Sequence, residues 1–389
     1  MPLRRAGLTH ADADALAAML ARVAMPVAIG VELAVLVAFA PDTLRRGWTG
    51  PIGDFANLYG PARDLELVGM YNPVLAPLLY PLNWLGELNA YRLLFALNVS
   101  AVLAIACMAQ RHVEGAEARI AVALAVVSLP QLHWALRLGH LTPLIALVAL
   151  VGLITLERRP RTAAVVLSLL SLKPQYAVAP FVWLLRLWRL DLAALMFGSA
   201  ALMAVAGFAA IGPGAVRDYV ALYFDWGSDT SDNLLPVQQA WMYSWHGVQI
   251  SAGFEPHPIV TFDLMLLSLG IVALAWARTD ARHAACVTAF ALLLFTPYAQ
   301  FYDGCLVLVG MALLFRCGLP APATAAIFGG LYVAAVVTQA NTVYPTPDVL
   351  GAARTDGFFW LTPALLVAIG ALAIAGKRDE AAPEEAPRW

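Results

Sequence analysis

Charge is what this sequence has least of. Only 13% of its 389 residues are Asp, Glu, Lys or Arg, against about 25% in an average soluble domain. A water-facing surface cannot be covered with so few charges, which excludes a soluble enzyme and a disordered chain. The charges present nearly cancel, 24 basic against 26 acidic, which excludes a basic surface for nucleic acid or another polyanion. Lysine is almost missing: two against 22 arginines. Lys173, lodged between apolar runs, therefore stands out. Cysteine is scarce too. Cys107, Cys286, Cys305 and Cys317 lie in apolar runs without C-x-x-C spacing, which reads as small core residues, neither a disulfide frame nor a metal site. Walker loops, G-x-G-x-x-G, H-E-x-x-H and G-x-S-x-G in a fitting context are all absent.

What the sequence has instead is apolar mass: 61% hydrophobic residues and a mean hydropathy of +0.73. The solvent for such a chain is a lipid bilayer. Apolar runs cover 23–40, 91–109, 120–136, 141–156, 163–172, 176–187, 192–211, 259–276, 284–297, 305–315, 321–339 and 358–375. The spacing predicts an all-α, polytopic protein of about twelve transmembrane helices. Several runs fall short of the ~20 residues a single crossing needs. Such helices belong inside protein or along a cavity, and the pair interrupted by Lys173-Pro174 is the clearest. The first run lacks a small-residue cleavage site and reads as a signal anchor.

If all twelve runs cross with the N-terminus inside, sixteen basic residues face the cytoplasm and eight face out, the bias expected of N-in, C-in topology. That places three large loops, about 41–90, 212–258 and 341–357, on the outer face. Residues 1–22 become a cytoplasmic segment, 23–376 one transmembrane domain, and 377–389 a disordered acidic tail.

The candidate site residues collect on that outer face. Asp54 follows the first span and opens a stretch, 54–67, predicted to lie in the interface as an amphipathic helix with Phe55, Leu58 and Leu65 inward. Asp54 is placed to take a proton from an acceptor; as a bland alternative it caps a helix. Tyr59 and Arg63 of the same stretch are candidates for substrate binding. Arg137 and His140 occupy an outer turn, L136-R-L-G-H-L-T-P, and Lys173 sits in S171-L-K-P-Q. Basic residues at membrane depth are costly, and two at neighbouring outer helix ends would suit a lipid phosphate. T296-P-Y-A-Q-F-Y-D places Gln300, Tyr302 and Asp303 at a cavity mouth, although Asp303 also suits a helix start. In the loop 212–258, Asp225, Asp229 and Asp232 suit a cation, and Trp241, Tyr243 and Trp245 suit stacking on a sugar. Glu32, inside the first span, has no evident partner.

The order of landmarks is a first-loop acid with Tyr71-Asn72-Pro73 and Tyr80-Pro81, then L138-G-H-L-T-P-L, L172-K-P-Q and T296-P-Y-A-Q-F-Y-D. It resembles glycosyltransferase family 87, polytopic mannosyl- and arabinofuranosyltransferases of bacterial envelopes with the C-type fold. The resemblance implies transfer from a polyprenyl-phosphate sugar to a glycolipid or glycan at the outer face of the inner membrane. It implies no cofactor and no metal beyond the donor itself. Asp54 matches the family's first-loop acid, which would be the base, and Lys173 its Lys-Pro, near the donor phosphate. His140 stands where the family often has Gln. Gln300 and Tyr302 stand in a segment that often carries His. A transporter or flippase of a lipid-linked or polar solute is the competing reading, and a scaffold without chemistry a third.

Overall fold

The computed structural model describes residues 10–50, 54–69, 71–228, 244–255, 257–296, 299–340 and 359–376. They are helical, with no β-strand among them. In chain order the helices are α1 (His10–Thr49), α2 (Asp54–Arg63), α3 (Leu75–Leu79), α4 (Glu87–Gln110), α5 (Ala116–Ser128), α6 (Pro130–Leu138), α7 (Thr142–Thr155), α8 (Pro160–Ser168), α9 (Val178–Arg186), α10 (Leu190–Ile211), α11 (Gly214–Ser228), α12 (Trp245–Ser251), α13 (Pro258–Arg278), α14 (Ala281–Leu294), α15 (Val307–Leu314), α16 (Ala321–Ala340) and α17 (Leu361–Ala375). Four 3-10 turns, Tyr80–Leu85, Leu169–Leu172, Pro174–Ala177 and Phe301–Leu306, link them.

Each apolar run falls on a helix or a broken pair, but crossing length is reached by fewer. Among the described residues five stretches are long and apolar enough alone: Met25–Thr49, Glu87–Gln110, Leu190–Ile211, Ile259–Arg278 and Ala321–Ala340. A sixth is the pair α5–α6, bent by 43°. The bend has a chemical cause. Pro130 begins α6 and has no N–H to continue the ladder of α5. The remaining apolar helices are shorter, 10–17 residues, and their placement follows the rule that short helices need protein around them. In α14 every residue from His283 to Leu294 is buried, and α15 is buried throughout. The long helices α1 and α10 instead turn most of their surface outward, to lipid. Lipid tails are as apolar as leucine, so close packing rather than water exclusion holds this centre together.

The first helix runs further than its apolar pattern. It continues through Pro41 to Thr49, so part of the expected first outer loop is helical. The amphipathic stretch forms α2 with Phe55 and Leu58 buried as expected. Leu65 lies past the helix end in a left-handed conformation (φ 54°) and is only half-buried. The following segment folds back against α10. There Gly207 touches the Pro73-Val74 backbone so closely that any Cβ would lie inside van der Waals contact. Asp225 lies in α11 with its side chain outside the described residues, and Asp229, Asp232, Trp241 and Tyr243 fall outside them altogether; Trp245 is buried and donates from Nε1 to Ser268 Oγ at 2.9 Å.

Candidate active site

The site is built where four short elements meet. Lys173 precedes a proline, which pushes it into extended backbone (φ −123°, ψ 92°) between two 3-10 turns. Leu172 thereby presents its carbonyl to the Asn72 N–H at 2.9 Å, and the Lys173 side chain turns inward. Its Nζ lies 2.7 Å from both carboxylate oxygens of Asp303. Asp303 is wholly buried (0% exposed), and so close a pair is charge-assisted and bidentate.

Asp303 is held on every side. Thr142, at the head of α7, donates its hydroxyl to Oδ1 at 2.9 Å, and the Gln300 N–H donates to Oδ2 at 3.1 Å. Gln300 and Asp303 cap the 301–306 turn reciprocally, each side chain accepting from the other's backbone N–H. Two ammonium hydrogens, a hydroxyl and an amide thus converge on the oxygens of Asp303.

Tyrosines surround the ammonium. Lys173 Nζ lies 5.9 Å from the Tyr71 ring centre and 5.2 Å from those of Tyr176 and Tyr302, within cation–π range. Tyr302 in turn lies against His140, ring centres 3.8 Å apart, and His140 Nδ1 is 3.2 Å from the Tyr71 hydroxyl. His140 is fixed by its backbone as well: its carbonyl accepts from Asn98 Nδ2 at 2.8 Å. Asn98 is itself fully buried.

Gly139 makes this turn possible. It ends α6 in the left-handed conformation (φ 73°), with its own N–H on Leu136 and the His140 N–H on Ala135, the bonding pattern of a glycine-terminated helix. A Cβ there would lie 2.8 Å from Phe55 Cβ and 3.1 Å from Tyr91 Cδ2. Helix α2 is thus seated, through Phe55, on the residue next to His140. Asp54 is the first residue of α2; its side chain lies outside the described residues. Tyr59 is buried and stacks on Phe55. Arg63 is exposed and forks onto Asp64 at 3.0 and 2.9 Å, which holds the Asp64 carboxyl below its ordinary value.

Arg137 is brought to different partners from Lys173. Its guanidinium donates to Thr43 Oγ1 (3.0 Å) and the Phe39 carbonyl (2.7 Å) and lies 3.3 Å from Asp42, all on α1. Sequence reasoning also passed over Tyr71, Tyr176, Asn98 and Thr142. The signal for Thr142 and Tyr71 was present, in the motifs L138-G-H-L-T-P-L and Tyr71-Asn72-Pro73. Nothing local marks Asn98.

A comparison with protein-family models matches glycosyltransferase family 87 over residues 70–297, more than half of the chain. The chain belongs to that family. It is a membrane glycosyltransferase. Arg137, His140 and Lys173 fall within the matched residues; Asp54, Tyr59, Arg63, Gln300, Tyr302 and Asp303 flank them. No curated protein and no solved structure matches the chain.

Proposed function

We propose that this family member moves mannose or arabinofuranose from a polyprenyl phosphate to a glycolipid or glycan acceptor, on the outer face of a bacterial inner membrane. The observation that carries this reading is an apolar cavity of about 270 Å³ beside the polar cluster. Its walls are aliphatic, among them Leu75, Leu94, Leu97, Leu141, Ile145 and Leu172. Leu141 and Leu172 are the chain neighbours of His140 and Lys173, which sets this apolar wall next to the polar cluster. The volume is below that of a whole drug-sized site, ~300–1,000 Å³. It suits the part of a lipid chain nearest its headgroup, with the rest in the bilayer.

In this reading the acceptor hydroxyl gives its proton to Asp54 and attacks C1 of the sugar from the face opposite the phosphate. The C1–O bond breaks as the new glycosidic bond forms, inverting the carbon, and polyprenyl phosphate leaves with the electron pair. Charge grows on the departing phosphate, where a fixed donor helps most. Lys173 has three N–H groups; Asp303 takes two, and the third serves a phosphate oxygen. The Lys173–Asp303 pair is neutral as a whole, so it acts on phosphate as an oriented dipole.

The test uses purified protein in lipid with radiolabelled polyprenyl-phosphate sugars. Transfer by the wild type, lost in Asp54→Asn while donor still binds, supports the reading. Equal transfer by both proteins removes Asp54 as the base. Movement of the intact donor across the bilayer without transfer favours a flippase instead.

A further inference from the structure

Helix α1 carries two acids within its span Met25–Thr49, and they live in opposite environments. Asp42 faces three guanidinium groups, those of Arg45, Arg46 and Arg137. Glu32 is 4% exposed, and its Oε2 is sealed without a hydrogen-bond donor. It has no ion-pair partner among the described residues. It lies near the middle of the apolar run 23–40 of α1, a stretch long enough to enter a ~30 Å hydrocarbon core.

The elements packed on α1 are α4, α5 and α6, and their charged and titratable groups are accounted for. On α6, His133 Nδ1 lies 3.0 Å from Thr43 Oγ1, and Arg137 bonds to Phe39, Asp42 and Thr43. On α4, Arg92 bonds to the Trp48 carbonyl, Tyr91 to the Leu136 carbonyl, Glu87 is in the first turn, and Cys107 is exposed. On α5, Glu117 is in the first turn, and Arg119 bonds to the Val113 carbonyl. Beyond them Tyr332 of α16 is near enough to feel a charge on Glu32; its hydroxyl pairs with Ser128 at 2.6 Å, at the end of α5. There Pro130 leaves the Val126 carbonyl without its helical N–H.

We propose that Glu32 is a proton-binding site inside the bilayer. Among the described residues a bare carboxylate here finds no cation, and its sealed Oε2 no donor, to repay the lost hydration. The group therefore binds a proton and remains in place as the neutral acid. Giving that proton up requires α1 to shift from its seat. The same helix supplies Phe39, Asp42 and Thr43 to Arg137, so the protonation state of Glu32 is tied to how the outer end of α1 holds α6.

Infrared difference spectra of wild type and Glu32→Gln in proteoliposomes test this without relying on glycosyl transfer. The expected result at pH 7 is a carboxylic-acid C=O band, at the high frequency of an acid with little hydrogen bonding, missing from the variant. Glu32→Met serves as the reference should the glutamine variant not fold. A carboxylate band at pH 7 in place of the acid band overturns the proposal. So does loss of the acid band on adding Na⁺ at constant pH, which would make the site one for a metal cation.

Discussion

Removing one partner of the Lys173–Asp303 pair should cost far more stability than removing both. Asp303→Asn leaves an ammonium that is 8% exposed facing a neutral amide. Stranding a buried charge in this way costs about 3–5 kcal/mol. Lys173→Met strands the carboxylate instead, but Thr142 and the Gln300 N–H still donate to it. Its cost should fall at the lower end of that range. The double variant strands no charge, and a buried pair replaced by neutral groups is often close to neutral in stability. The two single losses against a near-neutral double variant amount to a coupling of about 6–8 kcal/mol, well above the ~0.5 kcal/mol scatter of independent sites. Reversible unfolding of each variant in mixed micelles gives the four free energies. Additive losses in the double variant would refute the assignment of this pair as a desolvated, mutually dependent unit. Glycosyl transfer supplies the contrast: the double variant regains stability without regaining activity, because the Lys173 N–H is gone.

Gly207→Ala should push the Pro73-Val74 backbone off α10 and, through Asn72, disturb the Leu172 carbonyl beside Lys173; lowered expression and loss of transfer in membranes check this. Gly139→Ala should cost about 2–4 kcal/mol, combining left-handed strain with contact against Phe55; thermal unfolding in detergent reads it. Leu97→Trp, at a lipid-facing position (47% exposed) on the cavity wall, should raise KM for a polyprenyl donor several-fold with little change in kcat. At the start of α14, burial pushes the Asp280 carboxyl up, but hydrogen bonds from His283 and Arg282 outweigh it and hold it at about 2. The hydrogen bond to Asp280 raises His283. The Asp280 contribution is complete above about pH 4 and fades as pH falls through about 2; that of His283 is complete below about pH 6.5 and fades as pH rises through its higher folded value. The stability difference between wild type and His283→Gln should therefore peak between about pH 4 and 6.5.

The helices were legible in the sequence because apolar length is local information, and each apolar run overlies a helix. Lys173 was legible for a local reason too: a lone lysine before proline, in apolar surroundings, needs a partner. Which partner it takes was not legible, since Asp303 lies 130 residues further on. Arg137 shows the same limit. Its motif suggested a shared phosphate with Lys173, and the structure turns it to Phe39, Asp42 and Thr43, more than 90 residues earlier. The end of the first helix was misjudged because Pro41 and the charges after it resemble a stop. Pro41 nonetheless sits inside the helix, and the turns beyond it are secured by Arg92 on the Trp48 carbonyl and by Phe95 against Gly47.

The arrangement of short helices inside long ones bears on how the protein is made. Helices α14 and α15, of 14 and 8 residues, are too short to be sorted into lipid one at a time. The long peripheral helices can partition as they leave the ribosome, whereas the short ones settle only once neighbours surround them. Asp303, in the turn that leads into α15, therefore meets Lys173 late in biogenesis. A chain arrested before the 301–306 turn would carry an uncompensated lysine in its interior, a mark by which membrane quality control can tell an unfinished copy from a finished one.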